Sequence, residues 1–312
     1  LGGFGRRTWA ALLASLTLAA CEVQAPVPVA PPARPQPAPA TAYTSPLSRE
    51  LADYYARVER DLVAQGLLRT DGGGPDTPFT QRQLVEDFIR IALYEEFSNV
   101  GGFMVARQTR SRLHRWEKPV RIGIEFGASV PDAQRRADRA EIAAYARRLA
   151  RVTGHPISVV SQGANFHVLV VSEDERRRLG PHLKELAPSL SPAAIRAIED
   201  LPRSTFCLVF AVDPDGTGTY DRAVAIMRAE HPPLLRRSCI HEEIAQGLGL
   251  SNDSPDARPS IFNDDEEFAL LTTHDELLLR MLYDPRMRPG MTPEEARPVA
   301  EIIAAELMGG PA

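Results

Sequence analysis

The stretch Cys239-Ile240-His241-Glu242-Glu243-Ile244-Ala245-Gln246-Gly247-Leu248-Gly249-Leu250-Ser251-Asn252-Asp253 places polar residues among apolar ones and ends in glycines. It reads as a helix that follows a strand and closes with a left-handed turn at Gly249. Residues four apart on an α-helix differ by only ~40° about the axis, so Glu242 and Gln246 share a face. His241 has Ala245 at that spacing and Gln246 lies ~140° round, within reach only across a π-bulge. Bland roles are open to each residue: acids suit the positive first turn of a helix, Gln246 and Asn252 suit buried amides, and Asn252-Asp253-Ser254 suits a turn.

Working outward, Ser48 is expected to cap a helix to about Gly66, and Thr80 with Gln83 forms a capping-box pair opening a second helix to about Phe97. Pro119 to Phe126 alternates as a strand, and a helix follows from about Ala137 to Gly154. Strands are expected at Ile157 to Ser161, Phe166 to Val171, Phe206 to Val212 and Ala223 to Met227, with a charged helix from Ser172 to Leu186. Asp213 to Gly218 reads as a hairpin turn, because an EF-hand loop would not carry Thr217 and Val224 at its fifth and twelfth positions. Asn263-Asp264-Asp265-Glu266-Glu267 reads as a solvated acidic loop, with a calcium-holding run as the alternative. The result is an α/β (α+β) chain built on a mixed sheet and preceded by two N-terminal helices.

The order of these segments resembles the metzincin-like zinc peptidases. In that group a helix bearing HExxHxxGxxH follows the last strand of a mixed sheet. A Ser-Ile-Met turn then passes beneath the metal, and a Leu-Thr-x-x-Asp helix closes the domain. Ser260-Ile261-Phe262 stands in place of the Met-turn, and Leu271-Thr272-Thr273-His274-Asp275 opens the closing helix. An ungapped match sets Glu242, Gln246 and Asn252 at the ligand positions and Glu243 at the general-base position, so all three imidazoles are replaced. Zinc prefers nitrogen and sulfur, whereas a carboxylate and two amide oxygens suit a harder divalent ion or none. The resemblance therefore implies a zincin-like domain with catalytic Glu242 and Glu243 and a metal set of His241, Gln246 and Asn252. Three readings stay open: an altered metallohydrolase using His241 or a remote ligand such as His274, a metal-free polar site that binds a ligand, and a structural relic.

Arg6-Arg7, an apolar run from Trp9 to Leu18 and Leu18-Ala19-Ala20-Cys21 read as a secretory signal. Its end resembles the bacterial lipobox, which implies lipidation of Cys21, and Glu22 after it favours the outer membrane. Seven of the fourteen residues from Pro26 to Pro39 are proline, a composition that forms an extended spacer rather than a core. The expected organisation is a signal peptide over 1–21, a Pro-rich linker over 22–46, a helical region over 47–114 and a zincin-like domain over 115–312. The expected location is the periplasmic face of the envelope, anchored through Cys21, with a peptide or envelope protein as partner.

Of 312 residues, 44% are hydrophobic and 36 Lys+Arg oppose 41 Asp+Glu, for a net charge of −5. These proportions describe a globular domain with a sizeable core and no global positive field, so nucleic-acid binding is not expected. Cys207 and Cys239 remain after Cys21; an oxidising compartment makes them a candidate disulfide, with two buried thiols as the alternative.

Three stretches, Trp116 to Ile122, His241 to Asp253 and Pro259 to Phe268, together resemble the domain of unknown function 2927 family of exported lipoproteins. That resemblance spans about Arg115 to Met291 and implies no substrate. The functional expectation is a cell-envelope lipoprotein with a metallopeptidase-like hydrolase domain of altered or lost metal site; the competing class is a non-catalytic binding or scaffold lipoprotein.

Overall fold

The computed structural model describes residues 1–2, 45–100 and 103–310. The chain divides into two units, Leu1–Ala38 and Pro39–Ala312, and the description concerns the second. Cys21, the signal segment and nearly all of the Pro-rich linker lie outside the described residues. Among those described, no helix is long and apolar enough to cross a membrane.

The core is a mixed five-stranded sheet of β3 (Val120–Phe126), β4 (Ile157–Val159), β5 (Phe166–Val171), β6 (Cys207–Val212) and β7 (Arg222–Arg228), in the order β4-β3-β5-β7-β6. β3, β4, β5 and β7 run parallel, and β6 pairs antiparallel with β7 at one edge. All six residues of β5 are buried, as expected of a central strand covered on both faces. Its Val168 and Val170 join one core with α3 (Asp132–Thr153), α7 (Pro233–Gln246) and α8 (Thr273–Leu282); Leu169 and Val171 join a second core with α5 (Gly180–Leu186) and α6 (Pro192–Glu199).

α1 (Pro46–Ala64) begins earlier than expected. Ser45, not Ser48, is its N-cap, and the buried Ser48 hydroxyl instead donates to Glu230. The Thr80–Gln83 capping box is present at the start of α2 (Gln81–Ala92). That helix stops short of Phe97, and the chain turns into an antiparallel hairpin of β1 (Tyr94–Val100) and β2 (Phe103–Arg110). The pairing slips between Glu95 and Phe97, where Glu96 stands against both Arg107 and Gln108, so the extra residue of the bulge belongs to β2. The charged helix expected over 172–186 is broken into α4 (Glu173–Arg176), opened by a capping box of Ser172 and Glu175, and α5, which starts afresh with Pro181 in its first turn.

Behind the sheet, buried Asp275 joins two segments. Its carboxylate accepts from the Ser260 hydroxyl (2.6 Å), the Ile261 N–H (3.1 Å), and the N–H and hydroxyl of Thr272. The Ser-Ile-Phe turn is thus pinned to the start of α8, while α9 (Pro293–Leu307) packs on α2 and α8.

Cys207 of β6 and Cys239 of α7 form a disulfide with a Cα–Cα separation of 5.8 Å. It fastens the edge strand to the helix beneath it. Closing a loop over a separation of 32 residues restricts the unfolded chain by about 3–4 kcal/mol. Replacing both cysteines with serine is expected to lower unfolding free energy by about that amount in urea titrations, with the circular dichroism of the folded state unchanged.

Candidate functional site

α7 begins at Pro233, so Glu242 and Glu243 lie in its third turn rather than its first. The helix dipole therefore gives their charges no support. Its far side is fully engaged. His241 Nε2 meets Glu141 at 3.0 Å, and His241 Nδ1 accepts the Leu271 N–H at 3.1 Å. The imidazole stacks on Tyr145 at 4.0 Å, whose hydroxyl donates to the His241 carbonyl. Burial pushes the His241 pKa down despite the Glu141 carboxylate. This neutral imidazole has both nitrogens occupied and does not join Gln246 or Glu242.

The near side faces a cavity of about 520 Å³. One wall is α7 with Glu242, Glu243 and Gln246; a second is edge strand β6 from Phe206 to Ala211. The hairpin contributes Glu95, Glu96 and Met104, and the segment after α7 contributes Asp253, Asp264 and Glu266. Neighbouring strand residues ordinarily point to opposite faces, yet Glu95 and Glu96 both border this space, at the point where the register of the hairpin slips.

The third expected ligand is displaced by one residue. Gly249 adopts φ +127°, where a Cβ would stand 2.2 Å from the His114 carbonyl oxygen, and beyond it helical spacing no longer sets direction. Asn252 turns away, its amide donating to the Arg90 and Asp253 carbonyls. Asp253 turns in and accepts from Gln246 Nε2 at 3.1 Å. His274 is also committed elsewhere: although burial opposes its charge, Asp275 and Asp87 push its pKa up to about 9, and Nε2 lies 3.1 Å from Asp87.

The acidic run read as a solvated loop is only partly so, since Asp264 and Glu266 border the cavity. Six acidic wall residues thus lie outside the expected site: Glu95, Glu96, Asp213, Asp253, Asp264 and Glu266. The run itself and the Asp253 beside Asn252 were the available signals; nothing in the sequence marked Glu95 and Glu96 as hairpin residues.

Burial first, and then neighbouring carboxylates, push the pKa values of Glu242, Glu243 and Asp253 well above the carboxylate range. The same causes raise Glu96 and Glu266 to about 7. Among the described residues, no lysine or arginine lines the cavity. Glu243 is 4% exposed and its Oε2 has no partner among the described residues.

Zinc does not fit this donor set. One group of three candidate donors among the described residues comes within 4.8 Å of one another: Glu242, Glu243 and Cys207. The last is a disulfide sulfur and supplies no thiolate.

A family model described as "Protein of unknown function (DUF2927)" matches residues 81–302, most of the chain, and the chain belongs to this family. No curated protein matches it.

Glu96 and Glu266 bind protons more tightly folded than unfolded between their ordinary value and about 7. Their stabilising contribution is complete below the ordinary carboxylate pKa and is lost as pH rises through 7. The melting temperature is expected to fall by roughly 5 °C between pH 5 and pH 8. The double substitution Glu96→Gln/Glu266→Gln should flatten that slope in thermal scans.

Proposed function

We propose that this member of the family is a lipid-anchored envelope protein whose zincin-like domain hydrolyses peptide bonds with a carboxyl pair in place of zinc. The observation that carries this reading is the pairing of Glu242 and Glu243, with carboxylate oxygens within 4.8 Å of each other, on the wall of a cavity whose facing wall is an edge strand. Support for a zincin-like fold comes from the order of elements: a mixed sheet, a helix after its last strand, the buried Ser260-Ile261-Phe262 turn, and a closing helix opened by Thr272 and Asp275.

Two carboxyls this close and this buried do not both ionise readily, so the pair retains a proton near neutral pH. The Glu243 charge is among the causes that raise Glu242, which suits Glu242 as the acid and Glu243 as the base. A water oxygen bonds to the carbonyl carbon and its proton passes to Glu243. The C–N bond then breaks as Glu242 protonates the departing amine. The pair ends with its proton on the other member, and exchange with solvent restores it.

β6 has no strand partner on its outer side among the described residues. An extended peptide laid along it would gain main-chain hydrogen bonds and bring its backbone past the pair.

Quenched fluorescent peptides incubated with the full chain test the activity. Cleavage is expected near neutral rather than acidic pH, and Glu242→Gln or Glu243→Gln should each lower kcat about 100-fold or more. Binding without cleavage would leave a non-catalytic envelope binder, and stoichiometric zinc in the purified protein would overturn the carboxyl-pair mechanism. The anchor is tested separately: Cys21→Ser is expected to move the protein from the membrane to the soluble fraction on cell fractionation.

A further inference from the structure

We infer that the cavity recognises a basic side chain of an extended peptide, arginine in preference to lysine. The inference rests on the extended-peptide part of the proposed function and is independent of cleavage. Eight acidic residues, Glu242, Glu243, Asp253, Asp264 and Glu266 among them, border one space that no lysine or arginine among the described residues lines. Glu243 adds a separate sign, because its Oε2 is buried, faces this space and has no donor among the described residues. A buried carboxylate without a donor is costly, so a donor supplied by a ligand is strongly favoured there.

The spacing of the carboxyls selects the kind of cation. A bare hard ion such as calcium gathers six to eight oxygens at about 2.3–2.6 Å. Here Glu242 and Glu243 approach one another, but no third carboxyl joins them within 4.8 Å. The remaining acids are distributed round about 520 Å³, a volume that accommodates a long side chain. A guanidinium carries five N–H donors in a rigid planar fork and reaches several separated carboxylates at once, whereas an ammonium is a compact point charge. The edge strand supplies the register: a peptide paired with β6 sends alternate side chains to one face, and the cavity lies beside that strand.

Fluorescence anisotropy of the full chain with labelled alanine-rich heptapeptides tests this, the central residue being arginine, lysine or citrulline. Citrulline keeps the shape of arginine and removes its charge. Arginine peptides are expected to bind at least tenfold more tightly than citrulline peptides, with lysine between them. Asp264→Asn/Glu266→Gln should reduce that preference to under twofold, while its melting temperature stays level or rises because two repelling acids are neutralised. Equal affinity for arginine and citrulline, or no binding of either, overturns the inference. So does stoichiometric binding of calcium or manganese without an arginine preference, which would assign the cavity to a metal ion. An arginine preference without cleavage leaves the inference standing and sinks the hydrolase reading; cleavage indifferent to arginine does the reverse.

Discussion

The rotation of α7 about its own axis is the constraint on which the site depends. Four contacts fix it: His241 between Glu141 and the Leu271 N–H, the stack on Tyr145, the Arg236–Asp138 ion pair, and the Cys239–Cys207 bond. With His241 held on the far side, the 100° step of an α-helix turns Glu242, Glu243 and Gln246 toward the cavity, on the same face as Cys239, whose bond to Cys207 ties that face to the edge strand. The glutamates meet the cavity because their neighbours are tied down, not because anything in the cavity draws them. His241, the one imidazole in the segment, is spent on this fastening.

Holding α7 in that pose has an energetic consequence. Eight acidic residues share a space that no lysine or arginine among the described residues lines, and burial opposes ionisation of six of them. Elsewhere the same chain pairs its buried charges carefully. Glu173 is held by Arg176 and Arg228, and Asp138 by Arg236. The contrast between satisfied ion pairs in the core and unpaired acids at the cavity is the kind of local exception found where binding or chemistry takes precedence over stability.

Much of the sheet was legible because its signals are local. The apolar run Phe166 to Val171 can hardly be other than a covered strand, and the Thr80–Gln83 pair announces a helix start through two side-chain bonds. The helix ending at Gly154 followed from a single left-handed residue. What stayed hidden depended on tertiary partners. The hairpin after α2 is written in polar residues that continue the helical pattern, and its pairing partner lies across a turn. Asn252 fits the spacing of a ligand, yet the Arg90 carbonyl captures its amide and Asp253 takes its place. Spacing describes side-chain direction only while the helix lasts, and here it ends at Gln246.

The bond between Cys207 and Cys239 also governs the way in. It joins two adjacent walls of the cavity covalently, so those walls cannot spread to admit a bulky guest. The sides bearing Glu96 and Glu266 are held without a covalent link, by hairpin pairing, by hydrogen bonds and by the ion pairs of Glu267 with Arg69 and Arg258, so any give comes from there. The cleft is therefore a vice with one fixed jaw, and an arriving chain would meet the acids of the yielding jaw first.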